Sequence, residues 1–209
     1  MKGPEHEEAT LQRVLEQIAA GAVDDAVAAL DALLRADPTC RQGESTAALL
    51  RGLLHLQRGD FAAGLADALA HIAMHPEDPA GWLAMGRARA GLRDFERAER
   101  AFGEALARRP GWSDAHWHRA ATRAALHDLG GAVEDLDQAL LHLAPHAEGT
   151  AREARICEMR AQLRLMADDH DGARGDFIRA AAVWASRGRL DQRDRLIAMA
   201  RDLGLTASP

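Results

Sequence analysis

Apolar residues recur every three or four positions almost from end to end of the chain, and no stretch alternates apolar with polar as a half-buried strand does. Ala, Leu, Arg and Glu dominate, and all four favour helix. The helical pattern is punctuated at short intervals by Gly21, Asp37-Pro38, Gly59-Asp60, His75-Pro76, Asp78-Pro79, Gly91, Arg109-Pro110-Gly111, Gly130-Gly131 and Ala144-Pro145. Proline cannot continue a helix interior, and glycine readily ends one. Asp78 before Pro79 marks a helix start, with a carboxylate N-cap followed by proline at the first helical position. The pattern predicts an all-α chain of short helices.

Breaks and buried positions share one period. Pro76 and Pro110 are 34 residues apart. The same step links Gly52, Gly86 and Ala120; Phe61, Phe95 and Leu129; Gly64, Ala98 and Ala132; and Ala68, Phe102 and Leu136. The small series lets two helices approach closely, and the large series fills the space between pairs. A helix pair of this size cannot bury its apolar face alone, so at least about three must stack.

At these positions the sequence resembles the tetratricopeptide-repeat (TPR) family. Trp82, Gly86, Ala98, Phe102, Ala105 and Pro110 fall at the spacing of its motif, so Pro79–Trp112 looks like a nearly complete repeat. Thr46–Asp78 follows the motif through Gly52, Phe61, Gly64 and Pro76, and Ser113–His146 through Ala120, Ala132, Leu136 and Ala139. Ala154–Arg187 follows through Ala161, Ala173, Phe177 and Ala180, and Ala9–Pro38 through Ala26, Leu30 and Pro38 alone. The resemblance implies an all-α, right-handed α-solenoid of antiparallel helix pairs, a TPR superhelix, over residues 9–203. Its pairs are expected at about 9–38, 45–78, 79–112, 113–146 and 154–187. An unstructured segment is expected at 1–8 and a flexible tail at 204–209. Ala147–Glu153 is extra sequence between the fourth and fifth pairs, able to lengthen a helix. One more helix is predicted over 189–203, with Leu196, Ile197, Ala200 and Leu203 on one stripe. It either caps the fifth pair or folds back into the groove.

In the family, the first helix of each pair lines a concave face that takes up a peptide or helix of another protein. Carried over by position, that face comprises Leu49, Leu53 and Leu56 in the second pair, and Leu83 and Arg87 in the third. The fourth contributes Trp117, His118 and Ala121, with Arg123 as an orienting charge. The fifth contributes Glu158, Met159, Gln162 and Leu165. The leucines and Trp117 have a second reading as ordinary core, because the helix around Leu49–Leu56 is apolar nearly all round. One TPR subclass clamps the C-terminal carboxylate of heat-shock chaperones with basic and Asn side chains. Here those positions hold Leu49, Leu50, Leu53, Leu83 and Arg87, and only Arg87 has the chemistry, so that clamp is excluded. The resemblance implies a scaffold or adaptor whose partner is another protein. A TPR-type chaperone for a secretion or assembly client and a self-assembling homo-oligomer stand as alternatives.

Composition narrows the chemistry further. There is no Tyr or Asn, and Lys2 is the sole lysine, as expected of a GC-rich, bacterial genome. A P-loop needs a lysine in its glycine-rich turn, and a Schiff-base enzyme needs a buried one; Lys2 suits neither. A net charge of -6 disfavours a nucleic-acid partner, which calls for a basic face. Cys40 and Cys157 stand alone, without metal-ligand or disulfide-framework spacing. The polar start lacks the apolar core of a signal peptide, and no apolar run reaches the length of a membrane span. The expectation is a cytoplasmic, non-enzymatic protein without cofactor, metal or membrane contact.

Two side-chain series leave alternatives open. Arg89, Arg123 and Arg164 occupy one repeat position, and Arg51, Arg119 and Arg160 another. They form either an anionic-partner strip or internal pairs with Asp and Glu of neighbouring helices. His71/His75 and His142/His146 have i,i+4 spacing, but a zinc site needs three or four ligands.

Overall fold

The computed structural model describes residues 4–36, 41–143 and 149–202, with side chains at 9–35, 46–143 and 149–202. Among these residues there are eleven helices and no strand. They are α1 (Pro4–Ala19), α2 (Val23–Ala36), α3 (Arg41–Arg58), α4 (Phe61–Met74), α5 (Pro79–Gly91), α6 (Phe95–Arg108), α7 (Ser113–Ala125), α8 (Leu129–Leu141), α9 (Ala151–Met166), α10 (His170–Ser186) and α11 (Leu190–Asp202). Helix α1 begins at Pro4, inside the 1–8 segment whose composition suggested an unstructured start. The breaks at Asp37-Pro38 and Ala144-Pro145, Cys40, His146, Leu203 and the 204–209 tail lie outside the described residues.

Contacts divide the chain into two compact units, Met1–Pro110 and Gly111–Pro209. In the first, α1 pairs with α2, α3 with α4 and α5 with α6. Each second helix packs on the next first helix, and the first helices α3 and α5 also touch. In the second unit, α7 pairs with α8 and α9 with α10, while α8 packs on α9. Helix α11 lies against α10, where the first helix of another pair would stand. Leu196 and Ala200 are buried there in the cluster that holds Phe177 and Trp184. Ile197, expected on the same stripe, instead faces outward, while Met199 packs against the core with Leu196 and Ala200. Arg195 of α11 bonds Glu158 of α9 at 2.8 Å, and Trp184 Nε1 donates to the same carboxylate at 2.6 Å. Apolar burial and a shared carboxylate thus seat α11 as a cap.

Each pair turns by the same local device. The residue closing the turn between its two helices has a left-handed backbone: Gly21 (φ 76°), Gly59 (83°), Arg93 (63°), His127 (63°) and Asp168 (60°). An aspartate follows at once in four pairs. Asp60, Asp128 and Asp169 accept the N–H of Ala63, Gly131 and Gly172 to cap the second helix, while Asp94 caps α6 without a side-chain bond. Between the helices of a pair the approach is close. A Cβ placed on Gly86 would lie 2.5 Å from the ring of Phe102, which is fully buried. Around these contacts sit separate cores, one under α1–α3, one under α3–α6, one under α7–α9 and one under α9–α11.

Left-handed backbone is strained in any residue with a Cβ, by roughly 1–2 kcal/mol, and His127 is exposed. Exchanging it for glycine relieves that strain but makes the unfolded chain more flexible. We expect His127→Gly to stabilise the fold by about 0.5–1 kcal/mol, visible as a rise in the urea midpoint at unchanged m-value.

Candidate partner-binding surface

The first helices have two distinct faces, and the arginines separate them. Arg51 of α3 lays its guanidinium across Asp67 of α4, with Nε to Oδ2 at 2.9 Å and Nη2 to Oδ1 at 2.5 Å. Its Nη1 reaches back to Asp31 of α2 at 2.6 Å. Arg119 grips Asp135 in the same two-pronged way at 2.8 and 2.7 Å, Arg123 adds a bond to Asp135 at 3.0 Å, and His116 Nδ1 lies 2.9 Å from it. Arg160 repeats the fork on Asp176, with Nε to Oδ2 at 2.8 Å, and bonds Asp137 of α8 at 2.5 Å; Arg164 joins Asp176 at 2.9 Å. In each case the acid lies 16 residues after the first arginine and is nearly sealed from solvent, at 5%, 2% and 3% exposure. The third pair replaces the ionic node with Met85 and Ala101, both buried in one core, and its Arg89 turns to Asp94 at 3.2 Å.

These arginines therefore belong to the internal side. The hydrogen bonds of Asp67 hold the Arg51 proton firmly, raising its pKa. For Arg160, burial works against the charge, but Asp176 and Asp137 outweigh it. Burial pushes the Asp135 pKa up, yet bonds from His116 and Arg119 and the charges of Arg119 and Arg123 bring it below the usual carboxylate value. An external anionic strip would require free guanidinium groups along this face, and the aspartates occupy them. Arg123, expected to orient a partner, is one of those committed inward.

The other face is found one residue further round each helix. Val14, Gly52, Gly86, Ala120 and Ala161 are all buried against their second helices. The next residues are Leu15, Leu53, Arg87, Ala121 and Gln162, turned roughly 100° away. In the first unit Leu15 is 50% exposed, and Leu53 and Arg87 are half-buried. Arg87 has no polar partner among the described residues, and burial lowers its pKa. It differs in this from the other half-buried arginines described, all of which meet a carboxylate. Leu49 is half-buried on the α3–α6 core. Leu83 is sealed at 7% exposure, so it supports the surface from beneath.

In the second unit, Ala121 and Gln162 are exposed. Trp117 is half-buried on the α7–α9 core, with its indole Nε1 buried and without an acceptor among the described residues. His118 sits edge-on to it, ring centroids 4.7 Å apart. Met159 is packed into the same core. Glu158 is committed to Trp184 and Arg195. Leu15 was not anticipated, although its place eleven residues before Ala26 matches that of Leu53 before Gly64.

The histidines also have internal duties. His71 Nε2 lies 2.8 Å from Asp78, the carboxylate that caps α5 through Ala80 N–H, and His142 stacks on His116 at 6.2 Å. No group of three His, Cys, Asp or Glu able to hold a metal occurs among the described residues. Cys157 is buried, and burial raises its thiol pKa to about 11, far from a reactive thiolate. None of the described helices is long and apolar enough to cross a membrane.

A family model described as tetratricopeptide repeat matches residues 11–79 and 83–148. The chain belongs to the tetratricopeptide-repeat family. Solved structures carry the same TPR fold. A thermophilic TPR protein of Thermus thermophilus is 21% identical, with a TM-score of 0.68 over 92% of this chain and 97% of its own. MamA from Desulfovibrio magneticus is 13% identical, with a TM-score of 0.71 over 89% of this chain and 98% of its own. The TPR2B domain of yeast Sti1, in complex with pHsp70, is 22% identical, with a TM-score of 0.55 over 58% of this chain and 97% of its own. No curated protein matches the sequence.

The buried nodes make a stability prediction. Removing one partner strands buried charge and costs roughly 3–5 kcal/mol. Asp135→Ala should lose about that much, whereas Arg119→Met/Asp135→Ala, copying the third TPR, should lose less, as read by urea denaturation. The Asp135 pKa is depressed on folding, so its contribution is present above the unfolded carboxylate value of about 3.9. It disappears as pH falls through the lower folded value. Acid titration of stability should therefore steepen below about pH 4 in the parent and be shallower in Asp135→Ala.

Proposed function

We propose that the protein is a cytoplasmic, non-catalytic TPR adaptor. It binds a peptide or helical segment of another protein on the outward face of its first helices. One observation carries this reading. The arginines facing the second helices are consumed internally, while Leu15, Leu49, Leu53 and Arg87 remain partly open on the other face. Partly open leucines at equivalent sites on α1 and α3 offer apolar area to a partner, and a fully covered Leu contributes roughly 1.5–3 kcal/mol. Taken by itself, the second unit carries Ala121 and Gln162 at the equivalent positions, beside a half-buried Trp117, a more polar surface. The complex of the Sti1 TPR2B domain with pHsp70 supports a protein partner in kind, without indicating which one.

The test is a pull-down from host lysate with the parent protein and with Leu53→Glu. Leu53 lies at the edge of the core, so retention of fold is first established by circular dichroism. The folded variant should lose at least ten-fold in recovery of a specific partner. Equal recovery by the two proteins would remove this face from the function.

A further inference from the structure

Helix α4 turns a charge-free side to solvent. Its ionisable residues, Asp67 and His71, are both buried, where they meet Arg51 and Asp78. The exposed side is left with Ala62, Ala66, Leu69, Ala70, Ala73 and Met74, Leu69 being 46% and Met74 38% open. Spacings of three and four residues join them into one stripe. Every other second helix carries charge at the same repeat positions: Asp24 and Arg35 on α2, Arg100 and Glu104 on α6, Glu134 on α8 and Arg179 on α10. A contiguous apolar surface of this kind, with a leucine and a methionine left wet, marks a site of association. Helix α2 flanks α4 and runs the same way. Arg51 spans Asp31 midway along α2 and Asp67 midway along α4, and Arg58, just before α4, meets Asp24 at the start of α2. The exposed side of α2 is acidic at its start, through Asp24 and Asp25, and basic at its end, through Arg35.

We infer that this side of α4 is the contact between two copies of the chain, packed antiparallel about a two-fold axis near Leu69. Two reasons make the occupant a second copy. A charged helix laid here would bury its charge without a partner, so the covering face must itself be uncharged, and α4 supplies such a face. The flanking charges are also self-complementary. Reversing one copy sets Asp24 and Asp25 of each α2 against Arg35 of the other, the reciprocity a two-fold contact requires. Opposed helix dipoles favour the same direction. The four alanines let the two axes approach to roughly 8 Å, with Leu69 and Met74 packing beside them. One helix face per copy is small for a permanent dimer, so the association is weak, with a dissociation constant in the micromolar range. The contact uses a second helix and is independent of the adaptor face on the first helices.

Sedimentation equilibrium of the full chain over a concentration series tests the contact. The parent should pass from monomer to dimer and no further. Leu69→Glu and Ala66→Glu, each tested alone, should weaken association about ten-fold or more, while Leu53→Glu on the adaptor face should dimerise like the parent. Both α4 sites are exposed, so circular dichroism of both variants should match the parent; loss of helicity in both would assign this face to the fold and overturn the inference. The direction of packing is read by a short bismaleimide in a Cys40→Ser background. Ala62→Cys should link poorly to itself and efficiently to Met74→Cys in a mixture of the two proteins. Self-linking by Ala62→Cys with no gain on mixing would overturn the antiparallel contact. So would a dimer indifferent to both glutamates, or one lost with Leu53→Glu. A parent that stays monomeric at every concentration would overturn the inference outright, and loss of a captured host protein by Leu69→Glu would then give the face to a different partner.

Discussion

The structure depends on how closely the two helices of a pair can approach. That distance is set where a first-helix Gly52, Gly86, Ala120 or Ala161 meets the second helix, and at Gly86 even one added carbon would collide with the Phe102 ring. Close approach requires the chain to reverse tightly, which the left-handed residue at each turn accomplishes. It also brings the backbones near enough for side chains one turn away to bridge directly between helices. The large buried residues, the turns and the ionic nodes are all consequences of that one contact.

The nodes show how an arginine-rich, net-acidic chain places its charge. Each buried aspartate is held by two guanidinium groups in the fourth and fifth pairs, and by one in the second, which also reaches Asp31 of the preceding helix. The third pair accomplishes the same packing with Met85 and Ala101. Apolar and ionic solutions thus occupy equivalent places in one molecule. That equivalence accords with the general finding that a buried ion pair adds little net stability over well-packed apolar residues. The ionic version adds directionality, because a fork accepts a carboxylate in few orientations.

Once the nodes claim their arginines, the outward face is simple. In the first unit it is apolar on α1 and α3 and carries Arg87 on α5; in the second unit, α7 and α9 carry Ala121 and Gln162 at the equivalent positions. The likeness to solved TPR structures shows the fold alone.

Fold class and helix-pair period were legible in the primary structure because they arise from local, repeated features. Gly86 and Phe102, Asp78 before Pro79, and the 34-residue step each announce their role within a short window. The site was only partly legible. Spacing placed Leu53 and Arg87 on first helices, but it left open whether the Arg123 series pairs internally or faces a partner. Arg123 and Arg89 share a repeat position, yet Arg123 closes on Asp135 while Arg89, facing Ala101, turns to Asp94. Burial likewise decided that Leu83 belongs to the interior, since an amphipathic helix presents its apolar residues alike to a core or to a partner. Periodicity specifies which residues share a helix face; only packing against neighbouring helices establishes which of them still face outward and which charges remain unanswered.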